Sequence, residues 1–228
     1  TMSISSSLGA VIMPRTSNLI AEGRMDEFRI LIQKSYDFVL ALAMPLTVGL
    51  IFTSPSIILL LSGEGFAPAV LTSQIVASNI LMVGLSGVMG IQVLYPLGKI
   101  NIVILCTLIG AAVNVFFNVL LIPRYGHNGT AVAYMLAEVA VTVSMFLIGR
   151  KYIPIQFLKK QHLHYVGGGI VMGGVLYFIS LLGLSNIYTL ITMICVGIMV
   201  YIIVLLWLKD SIGMVILSII WRKMKCRC

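Results

Sequence analysis

Glu138 is the one carboxylate near the midpoint of an apolar run in this chain. Tyr134 and Thr142 stand four residues to either side of it, so on a helix the three side chains share one face. An ionisable group at membrane depth is costly, and it faces a cavity, an ion or a partner far more often than lipid. The chemistry such a stripe offers is reversible binding of a proton, a cation or a polar head group. Thr107, Asn114 and Asn118 form a second stripe, and Asn79 and Ser86, with Gly90 a turn further on, form a third. Side-chain amides there either line a cavity or tie helices together by hydrogen bonds.

The signatures of covalent chemistry are missing. The sequence holds no Walker-type phosphate loop, no HExxH, no GxSxG and no CxxC. VGGGIVMGG (166–174) lacks the dinucleotide-binding spacing and follows no strand, whereas Gly169 and Gly173 are spaced for close helix–helix approach. His162 and His164 flank a loop with Lys159 and Lys160 and read as solvated, and His127 falls in a corner. Cys106 and Cys195 sit inside apolar runs, and Cys226 and Cys228 alone are too few for zinc. No metal, no cofactor and no enzymatic activity are expected.

The elements that position these stripes follow from composition. The chain has 228 residues, 60% hydrophobic and 10% charged, with a mean hydropathy of +1.09. Soluble domains carry about 25% charged residues, so the surface here is built for lipid. A helix crosses a bilayer in about 20 apolar residues, and runs near 36–61, 70–94, 100–121, 129–148, 166–183 and 187–208 qualify. The expected fold is all-α: a polytopic membrane bundle of about six full spans. Residues 1–13 read as the tail of a further span cut in its middle, so an N-terminal portion is expected to be missing. Residues 14–35 read as a cytoplasmic amphipathic connector, with Phe28, Leu31, Ile32 and Ser35 on one face. Residues 36–208 form the spanning region, and 209–228 a basic interfacial tail with Trp221 at headgroup level.

Orientation follows from the cations. If connections alternate, fourteen lysines and arginines fall on one side and Arg124 alone on the other, together the 15 in the chain. Residues 14–34, 149–165 and 209–228 are thus expected in the cytoplasm, and 62–69, 122–128 and 184–186 outside. The net charge of +8 is explained by topology and anionic lipid, without nucleic acid.

FFNVLLIPRYGHNGTAVAY (116–134) reads as a helical hairpin. Asn118 closes one span, Pro123 stops it, Gly126 and Gly129 permit a tight turn, and Thr130, Ala131 and Ala133 let the next helix pack closely. The set Asn114, Asn118, Pro123, Gly126, Gly129, Thr130 and Ala131 resembles a motif of the multidrug/oligosaccharidyl-lipid/polysaccharide exporter superfamily. VIMPRTSNLIAEGRMDEF (11–28), through Pro14, Arg15 and Ser17, resembles the cytoplasmic loop of its polysaccharide branch. The helix with Pro45, followed by LLLSGEGFAPAV (59–70), and the turn YPLGKIN (95–101) match in family order. Thr130 stands where the family usually has alanine.

The chain thus resembles the C-terminal half of a Wzx-type lipid-linked oligosaccharide flippase, with a MATE-like C-terminal lobe. That resemblance implies alternating access between two lobes. It also implies an undecaprenyl-type lipid-linked oligosaccharide as substrate: an O-antigen, capsule or exopolysaccharide repeat unit. The other partners would be membrane lipid and the missing N-terminal lobe, in a bacterial inner membrane with the C-terminus cytoplasmic. Glu138, Tyr134, Thr142, Asn114, Asn118 and Asn79 are candidates for the cavity from their stripes, not from a family motif. Alternatives are a drug/cation antiporter of the same superfamily, a relative that flips the peptidoglycan precursor, and a membrane scaffold whose polar stripes only bind helices.

Overall fold

The computed structural model describes residues 2–157, 159–182 and 186–208. The basic tail, with Trp221, Cys226 and Cys228, lies outside the described residues, as do positions 184 and 185 of the last outer corner. In lipid every backbone polar group must be satisfied within the chain, and the apolar runs meet that demand as helices. Helix α1 spans Met2–Ala21, α2 Met25–Ser62, α3 Ala69–Gly87, α4 Ile100–Gly149, α5 Lys160–Ser180 and α6 Asn186–Trp207. No strand occurs among the described residues. Five of the helices are long and apolar enough to cross a membrane. One of these, α4, is broken at Gly126 (φ 53°, ψ −129°) into two limbs that fold back on each other.

Several elements depart from the sequence reading. Pro123 does not stop its helix. The first limb of α4 runs through it, and the corner falls at Gly126, whose positive φ only glycine adopts cheaply. Thr130 is exposed, whereas Gly129, Ala131 and Ala133 are buried, Gly129 against Leu121 of the other limb. The segment expected as a connector over 14–35 is helical apart from a turn at Glu22–Arg24, where Gly23 has φ 71°. Its second part is the start of α2, and Phe28, Ile32 and Ser35 are at most 4% exposed. That face packs into the protein, in one core with Leu94 and Ile153 among others.

Helix α2 is the central element, packing on α3, α5 and α6. It carries Pro45 and Pro55, and each proline deprives the carbonyl four residues earlier of its partner. Both carbonyls are satisfied from outside the helix. The Tyr201 hydroxyl of α6 donates to the Ala41 carbonyl at 2.9 Å. The Gln74 amide of α3 donates to the Ile51 carbonyl at 3.0 Å. Glycines set the close approaches: Gly169 and Gly173 of α5 face Val48 of α2, and a Cβ on Gly84 of α3 would come within 2.8 Å of Val39. Beyond Gly87, α3 continues as a π-helical segment, Val88–Leu94, whose buried Gln92 accepts from Ser35 of α2 at 2.5 Å.

Candidate functional site

The second limb of α4 runs beside α3 in a register set by three side-chain contacts. Thr72 donates to the Asn128 side-chain oxygen at 2.6 Å, Ser78 to the Met135 sulfur at 3.4 Å, and Thr142 to the Met82 carbonyl at 3.2 Å. Positions 128, 135 and 142 repeat every seven residues, so they form one stripe facing α3. Glu138 lies on that stripe between Met135 and Thr142, and it is half-buried. Thr142 also donates back to the Glu138 carbonyl at 2.8 Å.

Across the seam, Asn79 follows Ser78 on α3. It is 2% exposed, yet neither its amide nitrogen nor its amide oxygen has a hydrogen-bond partner. The hydroxyl of Tyr134, one turn before Glu138, is likewise buried, beside the Glu138 carboxylate. A buried amide left unpaired costs roughly 1–3 kcal/mol, which a seam built only for packing would avoid by using leucine. The structure therefore brings Asn79, Tyr134, Glu138 and Thr142 onto one polar seam at mid-height of two long helices. Ser86 bonds locally to the Val83 carbonyl, and Gly90 packs against Met145.

Asn114 and Asn118 lie on the first limb of α4, on the stripe of Gly110, where a Cβ would overlap the Val141 side chain of the second limb. The two asparagines pair with each other. The Asn118 amide donates to both the side-chain and main-chain oxygens of Asn114 at 2.9 Å. Thr107 is exposed, donates to Val103 of its own helix, and does not extend the pair.

A polar cluster that the sequence reading missed stands where α2 meets the start of α5. Asp37 accepts from Gln33 at 2.8 Å, from Gln161 at 2.9 Å and from His162 Nε2 at 3.0 Å. Lys159 Nζ lies 3.8 Å away. His162 is thus buried, not solvated, held by a carboxylate from a helix far earlier in the chain. The available signal was a polar pair at i, i+4, Gln33 and Asp37, placed where the long apolar run of α2 begins. At the same end Arg24 binds Glu27 and Glu22, and these carboxylates hold its guanidinium pKa above the ordinary value, Glu27 most.

Among the described residues, five long apolar helices, one of them folded back on itself, with an intramembrane carboxylate, buried amides and a tight glycine corner define a polytopic helical membrane protein. Comparison with known proteins places it further. The chain belongs to the family described as "Lipid II flippase MurJ", whose profile matches residues 3–198. This is a flippase family of the superfamily that the corner motif resembles. The "Uncharacterized membrane protein MJ1068" of Methanocaldococcus jannaschii is 26% identical over 164 residues, covering 72% of this chain and 32% of that protein. The "Probable low-salt glycan biosynthesis flippase Agl15" of Haloferax volcanii is 25% identical over 202 residues, covering 88% of this chain and 43% of that protein. The chain thus spans under half the length of these curated relatives. The family is one of transporters, not catalysts.

Proposed function

We propose that this chain is the C-terminal lobe of an alternating-access flippase that moves a lipid-linked glycan across the cell membrane. The observation that carries the proposal is the family match over residues 3–198. The polar seam agrees with it, because moving a sugar head group through hydrocarbon requires polar groups that are not all consumed by packing. The second lobe would come from an N-terminal portion of the same protein. The substrate class is a sugar head group on a long-chain carrier lipid. The narrower reading, an O-antigen, capsule or exopolysaccharide repeat unit on an undecaprenyl-type carrier, rests on the motif order from Pro14 to Ala131. The family description favours the peptidoglycan precursor within the same class. The lysine- and arginine-rich end is proposed to face the cytoplasm, together with the C-terminus.

The test reconstitutes the full protein containing this chain into vesicles with a fluorescent lipid-linked oligosaccharide. Protein-dependent movement of the label to the leaflet open to a membrane-impermeant quencher is expected. No movement beyond protein-free vesicles, for either a repeat-unit lipid or the peptidoglycan precursor, would remove the flippase reading.

A further inference from the structure

At the lysine- and arginine-rich end, a cleft of about 410 Å³ opens between the start of α2, the turn after α3 and the segment 151–154. Its floor is apolar: Phe28 is 1% and Ile153 7% exposed. Arg29 and Lys151 stand at its rim beside Tyr152. Lys99 Nζ lies 4.9 Å from the centre of the Tyr152 ring, so a third cation is held next to the opening. No carboxylate lines the cleft.

The acids at this end are engaged elsewhere. Glu22 and Glu27 bind Arg24 at 2.8 and 2.7 Å, and Asp37 is taken up by His162, Gln33 and Gln161. Asp26 reaches Arg29 at 3.5 Å, but with side chains 94% and 62% exposed that pair contributes little. Lys99, Arg150 and Lys151 make no ion pair with a carboxylate among the described residues. Cations gathered at one end of a membrane protein follow from sidedness alone. An apolar-floored cleft whose rim carries Lys151 without a carboxylate partner and Arg29 in only an exposed ion pair does not.

We propose that this cleft holds the phosphate-bearing head group of an anionic membrane phospholipid. Arg29 and Lys151 engage the phosphate, and Phe28 and Ile153 cover the glycerol and first methylenes. The site is separate from the mid-membrane seam and independent of the transported substrate.

The test measures retention of phosphatidylglycerol by the full protein in micelles, using native mass spectrometry, with phosphatidylcholine as the neutral comparison. Phosphatidylglycerol is expected to be retained in preference, and Arg29→Gln/Lys151→Gln to weaken that retention about tenfold or more. The conservative variant Lys151→Arg should keep it, which guards against a loss caused by misfolding. The exposed control pair Lys34→Gln/Lys160→Gln should change it less than twofold. Equal loss in the control pair would show unspecific attraction to a basic end and overturn the proposal. So would displacement of the lipid by millimolar inorganic phosphate, or unchanged retention in Arg29→Gln/Lys151→Gln.

Discussion

The Tyr201 hydroxyl donates to the Ala41 carbonyl at 2.9 Å across 160 residues of chain, and Ala41 lies four residues before Pro45. The bond fills the vacancy that the proline creates in α2, so a helix carrying two prolines is completed by its neighbours. Tyr201→Phe should therefore lower stability in micelles by roughly 1–3 kcal/mol. In a Pro45→Ala background, where position 45 regains an N–H for Ala41, the same change should cost less than half as much. Thermal exposure of the buried Cys106 thiol, with the other cysteines replaced, reads both values. Equal costs in the two backgrounds would dissociate Tyr201 from the proline.

Asp37 and His162 join α2 to the start of α5 through a contact of 3.0 Å, with side chains 11% and 9% exposed. Asp37→Asn and His162→Ala should each destabilise the protein. Their double-mutant cycle should show a coupling of roughly 1–3 kcal/mol. Additive effects would make the contact incidental.

Gly129 sits against the Leu121 backbone, where a Cβ would lie 2.6 Å from the carbonyl oxygen. Backbone cannot yield as a flexible side chain does, so Gly129→Ala should cost roughly 1–3 kcal/mol. Gly174 of α5 has nothing within 4 Å of an added Cβ. Gly174→Ala should be neutral, or stabilising by up to about 1 kcal/mol through helix propensity. The same unfolding assay compares them, and a reversed order would show that the corner does not depend on limb contact.

On the seam, function and stability should separate. Asn79→Leu removes an unpaired buried amide, so thermal stability is expected to hold or rise while transport falls. Glu138→Gln should leave membrane level and fold intact but impair export of the finished glycan, since Gln keeps hydrogen bonds yet neither ionises nor holds a cation. Normal surface glycan at matched expression in both variants would take the seam out of the transport mechanism.

Single cysteines at positions 64 and 151, in a cysteine-free background, test orientation. Position 64 should label with an impermeant thiol reagent from outside, and position 151 only after the membrane is opened. The opposite pattern would invert the proposed topology.

Sequence alone determined that this chain is a bundle of membrane helices, because span length and apolarity are local quantities that need no partner to be read. It also placed Glu138, Tyr134 and Thr142 on one face, since that depends only on helical period. Tertiary structure decided the rest. The seam brings Glu138 and Asn79 to the same level because three contacts set the register of α3 against the second limb of α4. Which amides stay unpaired depends on that register, and periodicity within one helix carries no information about it. Asn114 and Asn118 bond each other one turn apart within the first limb. Asp37 and His162 are separated by 125 residues, and only the packing of α5 on α2 brings them together. Pro123, which sequence rules would make a stop, is passed over because a proline costs one helical bond, whereas Gly126 supplies the positive φ that the corner requires.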